Sequence, residues 1–304
     1  MKTAILTSEA YDNACAITRP ATKVAARQVA QPSDIVADKY ELKRVLGRGA
    51  FGVVYEAEHL GLARRVALKI HHASDPSMFE LLPRIQQEAR LSALVRHENV
   101  VEIYDAGMLE DGSPYLEMEF IEGETLANYL KRGPLSIASA VELGCQLLAA
   151  LSALSLHGMV HRDVKPDNIM LARAKSGEVS LVKLVDFGIC KQVLEGAAGM
   201  TQEGMLVGTP LYMAPEQISA QPVDHRCDLY AAGAVLYEAI TGRPPYPAES
   251  LAEQVMATLH APLCAPRKLR PDCPRRLSRL LLKALARKPE RRPSSAHALR
   301  EQLL

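Results

Sequence analysis

From residue 40 to about residue 120, apolar side chains come mostly in short β-rich runs. Tyr40-Glu41-Leu42-Lys43-Arg44-Val45-Leu46 and Val53-Val54-Tyr55-Glu56-Ala57 predict two strands, and Val66-Ala67-Leu68-Lys69 a third. Pro114-Tyr115-Leu116-Glu117-Met118-Glu119-Phe120-Ile121 predicts another strand, running into a connector. One stretch between them differs. Pro83 suits a first helical turn, and Leu82, Ile85 and Ala89 recur at helical spacing, so an amphipathic helix is expected from about Leu82 to Val95. After the connector, helical spacing takes over. Ser136 can cap a long helix in which Leu143, Leu147, Leu151 and Leu154 repeat every three or four positions, ending near His157-Gly158. The first 38 residues carry no period, Pro20 and Pro32 interrupt any helix, and their charges cancel, so 1–38 is expected to be a flexible N-terminal extension.

Two motifs add chemistry to this pattern. Gly47-x-Gly49-x-x-Gly52-x-Val54 has the spacing of a dinucleotide fingerprint, but that fingerprint sits between a strand and a helix, whereas here strands flank it on both sides. The reading is a β-hairpin with a glycine tip. Further on, His161-Arg162-Asp163-Val164-Lys165-Pro166-Asp167-Asn168 is followed by Asp186-Phe187-Gly188. Phosphoryl transfer needs a positioned hydroxyl, a metal bridging the phosphates and fixed positive charge where negative charge spreads in the transition state. Asp163, Lys165, Asn168 and Asp186 are the residue types that supply these.

This pair of motifs resembles the H-R-D-x-x-x-x-N and D-F-G of protein kinases. Met200-Thr201-Gln202 and Lys283-Ala284-Leu285-Ala286-Arg287-Lys288-Pro289 make the resemblance closest to the bacterial eukaryotic-like (Hanks-type) Ser/Thr protein kinases. It covers the chain from about Tyr40 to Leu304. It implies an α+β, bilobal protein-kinase fold: a small antiparallel β-sheet lobe with one helix over about 39–120, a larger, mainly helical lobe over about 121–304, and ATP in the cleft between them.

The resemblance also assigns roles. Asp163 would be the catalytic base, Lys165 a phosphate-binding cation, and Lys69 the strand lysine that grips phosphates once Glu88 fixes its position. ATP would meet Leu46, Gly47, Gly49, Gly52, Val54, Ala67, Lys69, Met118, Glu119 and Ile121, with Met118 as gatekeeper and Glu119 to Ile121 as the hinge. Mg²⁺, or Mn²⁺, would lie on Asn168 and Asp186. The segment Gly208-Thr209-Pro210-Leu211-Tyr212-Met213-Ala214-Pro215-Glu216 resembles the substrate-docking loop, with docking specificity set by the shape around Thr209 and Pro210. Glu216 would pair with Arg292, and Asp228 would anchor the catalytic-loop backbone. Arg162 and Lys191, with Arg84, would receive a phosphate on Thr201, the one hydroxyl between Gly188 and Gly208, and Glu203 could supply part of that charge.

An active Ser/Thr kinase competes with two other readings. A pseudokinase would bind nucleotide without transfer, but Lys69, Glu88, Asp163, Asn168 and Asp186 are all intact. A small-molecule kinase would lack the docking segment from Gly208 to Glu216 and the lysine two places after the base.

Composition changes this picture little. The 304 residues are 48% hydrophobic and 23% charged, enough for a sizeable core. A net charge of +1 gives no electrostatic case for nucleic acid. No apolar run predicts a membrane span, and Ala4-Ile5-Leu6 is too short for a signal peptide. The six cysteines have no C-x-x-C spacing and read as reduced thiols, Cys190 included, which fits a cytoplasmic protein. Protein substrates bearing Ser or Thr are the expected partners, with self-association of kinase domains for phosphorylation in trans. Any sensor is expected elsewhere or on a separate protein.

Overall fold

The computed structural model describes residues 33–49, 52–71, 94–173, 179–186 and 210–304. Arg84 and Glu88, with nearly all of the helix expected over 82–95, lie outside these residues. So do Phe187, Gly188, Cys190, Lys191, Thr201, Glu203 and Thr209.

Period-two alternation builds the first lobe. Strands β1 (Ile35–Val36), β2 (Tyr40–Gly49), β3 (Gly52–His59), β4 (Arg64–His71), β5 (Ile103–Met108) and β6 (Pro114–Glu119) form one antiparallel sheet in the order β1-β2-β3-β4-β6-β5. Tyr40 and Leu42 of β2, Val53, Tyr55 and Ala57 of β3, Val66 and Leu68 of β4 and Tyr115 of β6 bury one face as a single cluster. Their alternate neighbours Val54, Ala67 and Met118 turn to the other face. The buried carboxylate of Glu117 is satisfied by the Tyr40 hydroxyl at 2.8 Å and by Arg64 at 2.9 Å.

The ordered lobe begins earlier than the sequence pattern suggests. Ile35 and Val36 pair with Glu41 and Tyr40, Ser33 N–H donates to the Leu42 carbonyl at 2.7 Å, and Leu42 N–H to that of Asp34 at 2.9 Å. Ile35 and Val36, within the span 1–38 expected to be a flexible extension, are therefore a strand of the sheet. Ala37 and Asp38, both with positive φ (50° and 55°), make the turn.

In the second lobe a small sheet, β7 (Gly123–Thr125), β8 (Ile169–Arg173) and β9 (Val179–Leu184), lies beside helices α1 (Leu126–Leu130), α2 (Ile137–Leu156), α3 (Pro215–Ile218), α4 (Arg226–Thr241), α5 (Leu251–His260), α6 (Pro266–Leu269), α7 (Arg275–Ala284) and α8 (Ala296–Leu303). Ser136 caps α2 as expected, its side chain accepting from Ser139 N–H. Contrary to expectation, this helix is long and apolar enough to cross a membrane (mean hydropathy 1.7). Its Leu143, Leu147, Leu148, Leu151 and Leu154 are buried in the core instead. Helix α4 is buried along nearly its whole length and stops at Gly242, whose φ of 77° is a left-handed cap that glycine adopts without strain.

One hydrophobic cluster runs through both lobes, from Ala67, Leu116 and Met118 to Leu147, Leu171 and Leu236. Backbone reinforces it. Val101 N–H donates to Leu184 O at 3.0 Å, Leu184 N–H to Asn99 O at 2.8 Å, and the Asn99 side chain to Val182 O at 2.8 Å. The segment leading into β5 is thus sewn to β9.

Candidate active site

The cleft between the lobes is lined from above by the inner face of the sheet. Ala67 and Lys69 are two apart on β4 and share that face; Val54 lies in register with Lys69 on one side, and Met118 with Ala67 on the other. Ala67 and Met118 belong to the inner cluster and Val54 and Ile121 pack against it, so four of the residues expected to meet ATP border the same apolar core. Leu46 stands apart from it, 39% exposed on β2.

The glycines divide by function. Gly49 pairs with Gly52 where the hairpin narrows, and a Cβ on Gly52 would fall 2.2 Å from Ile70 O, so glycine there answers to packing. A Cβ on Gly47 would meet nothing within 4 Å. Packing among the described residues does not require glycine at that place, which fits a backbone kept bare for close approach by a phosphate.

At the hinge, β6 ends in Glu119, whose N–H donates to Glu102 O at 2.9 Å. Its carboxylate pairs with Lys183 of β9 at 2.6 Å, both side chains being mostly buried. That leaves the hinge backbone, rather than this side chain, to meet a base. On the outer side Arg65 stacks over the Phe120 ring at 4.3 Å and pairs with Glu122.

Below the cleft, the catalytic loop leads into a 3₁₀ turn at Pro166–Asn168. Asp163 Oδ2 accepts from Lys165 Nζ at 2.9 Å and from Asn168 Nδ2 at 3.0 Å. Asn168 Nδ2 also donates to Asp163 O at 2.9 Å, which fixes its amide so that Oδ1 is the atom able to ligate a cation. Asp186, at φ 58°, pairs with Lys69 across the cleft. Lys69 and Asp186 are thus brought together, while Glu88, expected beside Lys69, lies outside the described residues. No three His, Cys, Asp or Glu side chains converge as a metal-holding group among the described residues. A metal held by Asn168 and Asp186 would fill its shell from phosphate oxygens and water, as Mg²⁺ commonly does.

The loop is held from beneath. Asp228, buried in the first turn of α4, accepts from His161 N–H at 2.7 Å and from Arg162 N–H at 2.8 Å. Burial pushes its carboxyl up, opposed by the His161 ring and by these two backbone donors. The His161 ring ties the loop to the segment after β9, Nδ1 accepting from Asp163 N–H and Nε2 facing Val185 O, both at 3.3 Å. Glu216 and Arg292 form the expected buried pair. Three contributors are not marked by the sequence. Lys183 and Gln217 belong to no motif that singles them out, and Glu238 of α4, which accepts from the Tyr212 hydroxyl at 2.5 Å, is one acidic residue among many. Burial raises the Glu238 carboxyl above its ordinary value.

Residues 40–304 match the family model described as the protein kinase domain. The chain belongs to the protein kinase family. It is 42% identical over 264 residues to the serine/threonine-protein kinase Pkn1 of Myxococcus xanthus, covering 87% of this chain and 38% of that protein. It is 41% identical over 261 residues to the serine/threonine-protein kinase PknH of Mycobacterium bovis, covering 84% and 42%. The chain thus spans about two fifths of the length of these curated relatives. Among solved structures, the kinase domain of Mycobacterium tuberculosis PknI superposes with a TM-score of 0.69 at 26% identity, over 91% of this chain and 98% of that one. The α+β bilobal fold expected from the motifs is this kinase fold. Kinases of this family use ATP with a divalent metal, and the site just described has donors of the right kind for both.

Proposed function

We propose that this chain is the catalytic domain of a Ser/Thr protein kinase, moving the γ-phosphoryl of ATP to hydroxyls on protein substrates. The observation that carries the reading is the set of bonds on Asp163 Oδ2 from Lys165 and Asn168, above a loop pinned by Asp228. Asp163 accepts the substrate hydroxyl's proton and aims its oxygen in line. Lys165, tied to the same carboxylate, offsets charge building on the transferred group, and Lys69 neutralises the phosphates from above. Asn168 and Asp186 would hold Mg²⁺, which would supply positive charge against that of the phosphates. The apolar patch of Val54, Ala67, Met118 and Ile121 takes the base and excludes water.

The finer reading adds control by autophosphorylation at Thr201, self-association for transfer in trans, and a cytoplasmic location. Cys145, Cys227, Cys264 and Cys273 are free thiols, in keeping with a reducing compartment. The experiment that tests the core reading is direct. Purified protein with ATP and Mg²⁺ or Mn²⁺ should phosphorylate itself and myelin basic protein on Ser or Thr, and Asp163→Asn should lower the rate roughly a thousandfold, about 4 kcal/mol of barrier. Nucleotide binding without transfer by the wild type would overturn it in favour of a pseudokinase.

A further inference from the structure

We infer that Gln217 is a positioning residue, whose carboxamide locks the catalytic loop to the docking segment. The inference deepens the kinase reading above and rests on it for its effect on turnover. Gln217 Nε2 donates to Arg162 O at 3.0 Å, and its Oε1 accepts from Ala214 N–H at 3.1 Å. The polarity of the two partners permits one orientation of the amide only, because turning it over would set oxygen against oxygen and N–H against N–H.

Arg162 is where such a lock matters. It directly precedes Asp163 and has a φ of 64°, a left-handed conformation that a side-chain-bearing residue keeps only when its surroundings impose it. Its N–H is held by Asp228 of α4, and its carbonyl by Gln217 of α3. The peptide groups on both sides of the strained residue are therefore fixed from two separate elements. One of them, α3, begins at Pro215, inside the expected docking segment from Gly208 to Glu216, of which residues 210–216 are described. Gln217 thus couples the start of α3 to the residue that precedes Asp163.

The alternative is that Gln217 merely caps its own short helix, since its backbone N–H also bonds Ala214 O at 3.0 Å. Glutamate separates the two ideas. It is the usual third residue of a capping box and would keep the bond from Ala214 N–H, but it has no donor for Arg162 O and sets a carboxylate oxygen against it.

The test uses the full chain with Gln217→Glu and Gln217→Ala. For Gln217→Glu we expect a melting temperature within a few degrees of wild type, hydrogen exchange about tenfold faster at the amides of the catalytic loop, and an unchanged KM for ATP. Its kcat toward myelin basic protein should fall about tenfold, equivalent to about 1.4 kcal/mol of barrier. Gln217→Ala should show the same loss of kcat with a lower melting temperature, and if it fails to fold, the glutamate variant carries the test. Wild-type exchange and kcat in Gln217→Glu would reduce the residue to a cap and overturn the inference, as would a defect confined to KM for ATP. Should the wild type transfer no phosphate, the kinase reading falls, and the exchange comparison alone decides whether the lock exists.

Discussion

Arg292 meets Glu216 along both edges of the carboxylate, at 2.6 and 2.7 Å, from 76 positions away in the chain. The same guanidinium donates to Ala286 O at 2.8 Å, Arg226 O at 2.8 Å and Arg287 O at 3.1 Å, so all five of its N–H groups have an acceptor. Arg292→Ala should cost about 3–5 kcal/mol, because Glu216 is left charged and buried. Arg292→Lys should fail to rescue it, since an ammonium has three donors and no fork. Chemical denaturation measures both, and a lysine variant as stable as wild type would show that charge alone is what the site needs.

The pair between Glu119 and Lys183 bears on nucleotide binding. It ties the last residue of β6 to β9, two residues before Val185 and three before Asp186. Lys183→Met should leave Glu119 without its partner in a largely buried place and raise KM for ATP severalfold, roughly 1 kcal/mol. Pairing it with Glu119→Gln, which removes the stranded charge, should recover part of the loss. Additive defects in the double variant would mean that the two residues act separately.

Glu238 should make stability depend on pH. Its folded value is raised by burial, so the folded state binds the proton more tightly than the unfolded chain does. The sign follows: its contribution is most favourable below its unfolded value of about 4.5 and is lost as pH rises through the higher folded value. Glu238→Gln keeps an acceptor for the Tyr212 hydroxyl and removes the titration. The unfolding free energy of the variant, relative to wild type, should therefore climb from about pH 4.5 upward and then level off. A flat difference across that range would place no penalty on the ionised carboxylate.

Control by Thr201 is a prediction from sequence and chemistry. A phosphate there adds about −1.5 to −2 charges beside the cations expected to meet it, Arg162 and Lys191. Mass spectrometry of protein incubated with ATP should find the phosphate on Thr201, and Thr201→Ala should slow transfer to an external acceptor severalfold. Glu203→Ala should lower activity only before Thr201 is modified. Full activity in Thr201→Ala would remove the switch.

Much of this protein is legible in its amino-acid sequence, and the reason differs from part to part. The hairpin of β2 and β3 is legible because alternation of apolar and polar positions, with glycines at its narrow end, has few other meanings. Asp163, Asn168 and Asp186 are legible because phosphoryl transfer needs those types at that spacing. The partnership of Glu216 with Arg292 comes from resemblance alone, since no local pattern links residues so far apart. Strand β1 escapes the pattern for a physical reason. Its turn places Ala37 and Asp38 in the left-handed region that Asn-Gly or Asp-Gly ordinarily announces, and two residues are too few to show a period. Gln217 and Lys183 escape it because their meaning lies in what they touch.

The stitching of residues 99–101 to β9 gives the cleft one secured edge. The anchors sit beside β5 and β6, at Val101 and at Glu119, and the sheet runs outward from there through β4 and β3 to β2. The bonds at Val101 and Glu119 thus hold one side of the sheet to the second lobe, while β2 and β3, with the paired Gly49 and Gly52, lie toward the other. Asp186 follows Leu184 by two residues, so the carboxylate that meets Lys69 is set directly beside that secured edge.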